Sequence, residues 1–510
     1  MNPGLAAYKL YRALTYAASP LIRLHLQWRR FRGLEHLQRW PERLGHASQP
    51  RKPGPLVWFH AVSLGEGMIA IPVIKHCIRK MPNLNVLVTI TTLSAFEVLS
   101  KKIPSEVILQ FSPVDTPSSI RSFLHYWKPS AIVLMESELW PNLIMDASKN
   151  GITLALLNAR ISEKSFKLWS GPVLLPLISL MLSKFSLIVP LSTEQGIRFQ
   201  LLQAPPYIIN FSGDLKYVIE DFGVNECGRM NIDNLRQQLS HKQVWMASSI
   251  HRGEEEIISG VHNVLMQLRP NIMTIIVPRH PQQGREIAKK LERQGHYVVL
   301  RSQHERFKPE TNIYVVDTLG ELRQMYTLTP IAVIGGSFLP GLSGHNISEA
   351  AAAGCAILTG RHVGHFSHMV LEMQQLNPLS VLQVSGKLEL EKSLTELFTN
   401  TTLLEARRRA AKEAFCMLSS DIVANIWSLL NFHIFTRLFA EMKCHMPHFL
   451  FHSKLAFKGW FSKRVDAYQL VSELIVVGLE RASYGRTDWK GRVKQQSIAA
   501  GNQLSGTGLW

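Results

Sequence analysis

The sequence predicts an α/β protein of two similar parallel-sheet domains facing each other across a cleft. Three observations carry this expectation. From residue 54 onward short β-rich runs alternate with helical stretches, the pattern of βαβ units. The pattern lapses after Tyr217 and restarts at VWMASSI. A chain of 510 residues is also too long for one core.

In the first half, strands are expected at LVWFHAV, NVLVTIT, EVILQF, AIVLM, ITLALL, SLIVPL and YIINFS. In the second they are expected at VWMASSI, IMTIIVP, HYVVL, IYVVD, IAVIGG, AILTG and LSVLQV. A looser stretch rich in acidic, Gly and Asn residues separates them. It sets a linker at 218–235, with domains at 35–217 and 236–433. The run GPVLLPLISLMLSKFSLIVPL holds Lys184 and three prolines, so it reads as a buried helix and strand rather than a membrane span.

The two ends depart from this pattern. Residues 1–34 contain no acidic side chain, while Lys9, Arg12, Arg23, Arg29, Arg30 and Arg32 interleave with apolar ones. Such a segment suits a membrane surface or an organellar presequence, and equally a basic amphipathic helix docked on the first domain. Residues 434–510 are basic and aromatic and fit neither domain, although LVSELIVVGLE suits one helix.

Hydrophobic content of 46% and charged content of 18% fit a globular protein, and a formal net charge of +18 favours an anionic partner. Nucleic acid is not expected, because no recognised motif occurs and the basic residues are dispersed or terminal. Cys77, Cys227, Cys355, Cys416 and Cys444 form no C-x-x-C pair, which argues against a zinc knuckle or a disulfide framework and fits a reducing compartment. His362, His365 and His368 are spaced by three, but faces at i and i+6 of a helix diverge, no supporting acids are expected beside them, and no D-x-D occurs anywhere. Neither a metal nor a cofactor is expected.

Ligands of parallel sheets bind at the carboxyl ends of strands, so those positions are read for chemistry. VWFHAVSLGEG places Ser63 and Glu66 three apart before a helix. The spacing fits a capping box, and it fits equally a general base at the cleft. MESELWPN brings Glu136 and Glu138 to another strand end, where they meet a polar ligand or a partner such as Arg160. Lys216 in GDLKY suits a phosphate at the hinge or simply a solvated surface.

In the second domain SSIHRGEEE permits an anion site or a plain Ser cap. VPRHP supplies Pro278, Arg279 and His280, and Arg suits bidentate phosphate contact. A helix is expected to open at Leu319, Gly320 and Glu321. A Gly-rich loop feeds another through Asn346, Ile347, Ser348 and Glu349. Its glycines let the backbone approach a ligand, its helix start suits phosphate, and a carboxylate beside it suits ribose hydroxyls.

In order along the chain, RWPERLG, HAVSLGE, MESELWPN, LNARIS, GDLKY, SIHRGEEE, VPRHP, DTLGEL and GGS…GHN…EAAA resemble the Kdo transferases. These enzymes carry 3-deoxy-D-manno-oct-2-ulosonic acid (Kdo) from CMP-Kdo to a lipid A precursor. The resemblance covers roughly residues 5–430. It implies two Rossmann-like domains facing a cleft in the GT-B glycosyltransferase architecture. By motif matching it implies Glu66 as proton acceptor and Glu136 and Lys216 as transition-state stabilisers. It also implies CMP contacts at Pro278-Arg279, Leu319 to Glu321 and Asn346 to Glu349. Where the family has Gly-Gly-His-Asn, this chain has Ser343-Gly344-His345-Asn346, and a modest effect is expected.

The wording of the motifs is closer to plant than to bacterial versions. It implies a membrane-associated mitochondrial protein, the alternative being the cytoplasmic face of a bacterial-type inner membrane. The implied partners are CMP-Kdo, the lipid acceptor and a peripheral membrane surface. Two other readings are a same-fold enzyme using another nucleotide sugar and a catalytically silent membrane-associated homologue.

Overall fold

Two parallel sheets organise the computed structural model, which describes residues 2–218, 226–303 and 306–436, the side chains of 226–231 excepted. The first sheet comprises β1 (Leu56–His60), β2 (Asn85–Ile90), β3 (Ile108–Phe111), β4 (Ala131–Met135), β5 (Thr153–Ala159) and β6 (Leu187–Pro190), in the order β3-β2-β1-β4-β5-β6. The second comprises β7 (Gln243–Ile250), β8 (Ile272–Pro278), β9 (Val298–Leu300), β10 (Ile313–Val315), β11 (Ile331–Ile334), β12 (Ala356–Thr359) and β13 (Val381–Gln383), in the order β13-β12-β11-β7-β8-β10-β9. Strand order reverses between β1 and β4 in one sheet and between β7 and β11 in the other. A crevice forms at the carboxyl ends on each side of such a reversal.

Helices cover both faces of each sheet, which is why the strands read as near-continuous apolar runs. Along β1, Val57 and Phe59 enter one core while Leu56 and Trp58 enter another. The first of these cores runs from sheet to sheet through Tyr217, Phe415, Ile422 and Ile426. All described residues fall in one compact unit, Met1–Ala440.

Two expectations of the sequence are corrected. YIINFS is not a strand: Pro206–Ile208 forms a 3₁₀ turn, and only Ile209 bridges to Ile188 at the sheet edge. Pro205 and Pro206 supply no N–H for a ladder at this point. The linker is shorter than 218–235, because a helix already begins at Glu226 and buries Ile232, Leu235 and Leu239. Residues 219–225 lie outside the described residues, as does the tail from 437 onward, including LVSELIVVGLE. Near the end of the described chain, helix Ile422–Leu430 packs back on α3 (Leu64–Lys80) of the first domain. The stretch Thr401–Phe435 is long and apolar enough to cross a membrane. It is interrupted before Ile422 at Asp421, which has φ 58°.

The N-terminal segment forms two helices, α1 (Pro3–Ala17) and α2 (Ser19–Phe31). α1 is docked on the first domain. Arg12 Nη1 contacts Asp146 Oδ1 at 2.8 Å, and Tyr11 OH donates to Asp115 Oδ2 at 3.0 Å. A Cβ on Gly4 would sit 2.2 Å from the Pro176 carbonyl oxygen, so only glycine permits this approach. Leu10, Leu14, Leu21, Leu24 and Phe31 remain exposed.

Candidate active site

The turn after β1 makes Ser63 the N-cap of α3. Ser63 Oγ accepts from Glu66 N at 3.3 Å and donates to Glu66 Oε1 at 2.8 Å. Glu66 Oε2 accepts from Val62 N at 2.8 Å, one residue earlier than the usual capping-box amide. Burial raises the Glu66 pKa, the Val62 amide and Ser63 hydroxyl pull it back, and the charge of Glu136 adds to the rise.

Across the crevice, Glu136 follows β4 with φ 52°, in the left-handed region that is unfavourable for a non-glycine residue. Its amide donates to Leu157 O at 2.9 Å and its carbonyl accepts from Arg160 N at 3.1 Å. Its carboxylate meets Lys216 Nζ at 2.8 Å. The side-chain partner of Glu136 is therefore Lys216 rather than Arg160.

Lys216 sits in a 3₁₀ turn, Leu215–Tyr217, capped by Asp214, whose Oδ1 accepts from Lys216 N at 2.9 Å. Leu215 N donates to Asn158 Oδ1 at 2.9 Å, which fastens the turn to β5. Glu138 accepts from Trp140 Nε1 at 2.8 Å. Burial, reinforced by the charges of Glu66 and Glu136 and opposed by the Trp140 hydrogen bond, pushes the Glu138 carboxyl up to about 7.

In the second domain the loop after β7 is neither an open anion site nor a Ser cap. Gly253, with φ 94°, caps helix Glu254–Leu268. The fully buried Glu254 carboxylate accepts from His251 N at 2.9 Å, Gly336 N at 2.7 Å, Ser337 N at 2.9 Å and Phe338 N at 3.0 Å. It thereby shapes the Gly-rich loop after β11. In that loop Gly344 takes φ 76°, and a Cβ there would lie 2.9 Å from Val363 Cα. Ser343 needs no positive φ, so serine is accommodated at the position where the family has glycine.

Pro278 ends β8, and Arg279 beyond it is exposed, its amide donating to Ile250 O at 2.9 Å. His251 and His345 are stacked with their Nε2 atoms 2.8 Å apart. Burial, then the nearby Arg279 charge, pushes His345 down to about 3. Leu319 is exposed and Gly320 has φ 87°. Glu321 is held by Arg301 through contacts of 2.7 and 3.1 Å and by the Thr318 hydroxyl. Asn346 Oδ1 accepts from Ser348 N at 2.9 Å. Ile347 is buried in the core, and Ser348 Oγ donates to Lys216 O at 2.8 Å. Burial raises the Glu349 pKa, opposed by Arg323.

Glu66, Glu136, Glu138 and Lys216 thus gather at the reversal of the first sheet. The second domain reaches them through Ser348 and through His365, whose imidazole feels the charges of Arg160, Lys216 and Glu136. His368 goes elsewhere: its Nε2 lies 2.9 Å from the buried Asp214 carboxylate. Burial disfavours the charged form of Asp214, but the His368 hydrogen bond and the Lys216 charge hold its pKa below the usual value. Sequence reading missed Glu254 and Asp214. Besides a local amide, each also holds groups remote in sequence, three loop amides for Glu254 and the His368 imidazole for Asp214, and no local pattern marks those.

Residues 38–219 match the family described as 3-Deoxy-D-manno-octulosonic-acid transferase (kdotransferase). An Arabidopsis thaliana protein named "Probable 3-deoxy-D-manno-octulosonic acid transferase, mitochondrial" is 62% identical over 436 residues, 85% of this chain and 98% of that one. The 3-deoxy-D-manno-octulosonic acid transferase of Haemophilus influenzae is 30% identical over 416 residues, 81% of this chain and 94% of that one. Among solved structures, UDP-GlcNAc 2-epimerase from Neisseria meningitidis bound to UDP-GlcNAc is alike in fold alone, with a TM-score of 0.52 at 13% identity over 74% of this chain and 98% of that one. The two facing parallel-sheet domains are of the GT-B type. With identity of this extent along nearly the whole length of its relatives, the chain belongs to the 3-deoxy-D-manno-octulosonic acid transferase family of glycosyltransferases.

Proposed function

We propose that the protein transfers Kdo from CMP-Kdo to a lipid A precursor, with inversion at the anomeric carbon and Glu66 as general base. The observation that carries this reading is the convergence of Glu66, Glu136 and Lys216 at the strand-order reversal of the first sheet, with second-domain groups alongside. The acceptor hydroxyl lies against Glu66. As its oxygen attacks the anomeric carbon, Glu66 takes the proton, and the bond to the CMP phosphate breaks with its electron pair going to the phosphate.

A carboxylate oxygen has two lone pairs, so the bonds to Val62 and Ser63 orient Glu66 without using up its capacity to accept a proton. The raised Glu66 pKa makes it a stronger base than a solvated carboxylate. Lys216 and Arg279 meet the charge on the departing phosphate. Pro278-Arg279, Leu319 to Glu321 and Asn346 to Glu349 contact CMP. Glu136 holds Lys216 in place.

The same reading puts the protein on a mitochondrial membrane surface. The mitochondrial name of the Arabidopsis relative and the exposed apolar and basic side chains of α1 and α2 support this. The test is mass spectrometry of the lipid after purified protein is incubated with CMP-Kdo and a tetra-acylated lipid A precursor. A lipid heavier by one or more Kdo residues is expected. An unchanged lipid, or CMP binding no tighter than UMP or UDP binding, overturns the reading.

A further inference from the structure

Beside the carboxylate cluster the first domain holds an open pocket of ≈ 530 Å³ that no step above uses. Val114, Leu139, Trp140, Trp169, Leu174 and Leu177 line it. Its size and apolar lining fall in the range of small-ligand sites. Two of its walls belong to the catalytic crevice. Val62 lines it and donates its amide to Glu66, and Trp140 lines it and donates its indole N–H to Glu138.

Most polar groups of the lining are already engaged; Arg43 Nε makes no hydrogen bond but lies 3.8 Å from the Glu35 carboxylate. Asp115 accepts from Tyr11 OH and from the amides of Asn142 and Leu143. Arg43 Nη1 donates to the carbonyl and hydroxyl of Ser112, and Thr91 Oγ1 lies 2.8 Å from Ser112 Oγ. A nucleoside or sugar entering here would lose hydrogen bonds to water and find few in exchange. A hydrocarbon chain loses none. The elements that wall the cavity also carry exposed apolar side chains, Leu10 and Leu14 on α1 and Leu168 and Val173 near Trp169. Exposed apolar side chains therefore flank the pocket on α1 and around Trp169.

We propose that this cavity is an acyl-chain subsite, which takes one fatty-acyl chain of the acceptor and so holds the acceptor's sugar hydroxyl against Glu66. The proposal rests on the reading of this site as a Kdo transferase with a lipid acceptor. It adds a specificity: acylated acceptors are preferred over the same sugar without its chains.

The test separates the two ideas by measuring binding without any donor. The probe is a fluorescent C12 fatty-acyl chain, titrated into full-length protein and displaced by tetra-acylated or by fully deacylated lipid A precursor. Two variants on separate segments of the lining narrow the cavity, Leu174→Trp and Val114→Phe, with thermal unfolding as the fold check. Affinity for a chain changes about fourfold per methylene gained or lost from burial, so each variant should weaken the probe about tenfold or more. The acylated acceptor should displace the probe and the deacylated one should not. In turnover, both variants should lower the preference for the acylated over the deacylated acceptor by a similar factor.

If the protein does not bind the probe, if both folded variants bind it as tightly as the parent, or if deacylated sugar displaces it equally well, the cavity is not an acyl subsite. Should a variant fail to fold, the displacement result on the parent protein decides alone. Probe binding and selective displacement without any Kdo transfer would overturn the proposed reaction and leave the subsite standing.

Discussion

Lys216 Nζ lies 2.8 Å from Glu136 Oε1, joining the hinge between the domains to the end of β4. Both side chains are largely withdrawn from solvent, at 16% and 13% exposure. Removing one partner leaves the other under-solvated, so Lys216→Met and Glu136→Gln should each cost ~1–3 kcal/mol. The double variant should regain part of that stability. Turnover should stay depressed by roughly 10²–10³ in all three, because the proposed stabilisation of the leaving phosphate is lost. Urea unfolding midpoints and single-turnover rates measure the two effects. A double variant whose loss equals the sum of the two single losses would show that the pair is not coupled.

Glu66 is both a cap partner and the proposed base, and the two roles separate on substitution. Glu66→Gln keeps an oxygen for the Val62 amide and should fold with nearly parental stability, yet lose roughly 10²–10⁴ in turnover. Ser63→Ala removes the other half of the cap and should cost ~1 kcal/mol of stability with a smaller loss of rate. Near-normal turnover in Glu66→Gln would move the base to Glu136 or Glu138.

Glu138 gives a pH signature. Its folded pKa rises from 4.5 to about 7, so the folded protein holds this proton more tightly than the unfolded chain. The stability it contributes is full below pH 4.5 and is lost as pH rises through about 7. Glu138→Gln stays neutral and can still accept from Trp140. It should therefore be more stable than the parent at pH 8, on the order of 1–2 kcal/mol after solvent screening, and equal to it near pH 4.5. Thermal melts at the two pH values test this, and an equal gain at both would remove the titration as its cause.

Glu254 should matter without touching ligand. Glu254→Gln turns an amide N–H₂ toward backbone donors that now bond to a carboxylate, at a cost of ~1–3 kcal/mol. Loosening of the Gly-rich loop should weaken CMP binding in calorimetry. Unchanged stability and CMP affinity would count against its role as organiser of that loop.

The exposed face of α2 makes a further test. Leu21→Asp with Leu24→Asp should reduce binding to anionic vesicles without undocking α1, which is fastened by Arg12 and Tyr11. Parental binding should also weaken with salt, since surface charges are screened beyond about 8–10 Å at physiological ionic strength. Vesicle binding that ignores both changes would place the membrane contact elsewhere.

Much of this protein is determined by its sequence alone, because the informative signals are local. Doubly buried strands write themselves as apolar runs such as LVWFHAV, and strand-end motifs name Glu66, Glu136 and Arg279 before any contact is seen. The bond from the Glu66 amide to Ser63 Oγ follows from a spacing of three, whereas the return bond of the Glu66 carboxylate, to the Val62 amide, does not. The order of the strands, the Lys216–Glu136 pair, the four amides on Glu254 and the cavity under Trp140 were decided only in the tertiary structure. YIINFS shows the limit from the other side: its β-rich composition was overridden by two prolines at a sheet edge. The physical reason is common to all of these. Periodicity and capping depend on residues a few positions apart, whereas charge pairing, loop anchoring and the shape of a pocket depend on groups that only the packing of whole layers brings within a few ångströms.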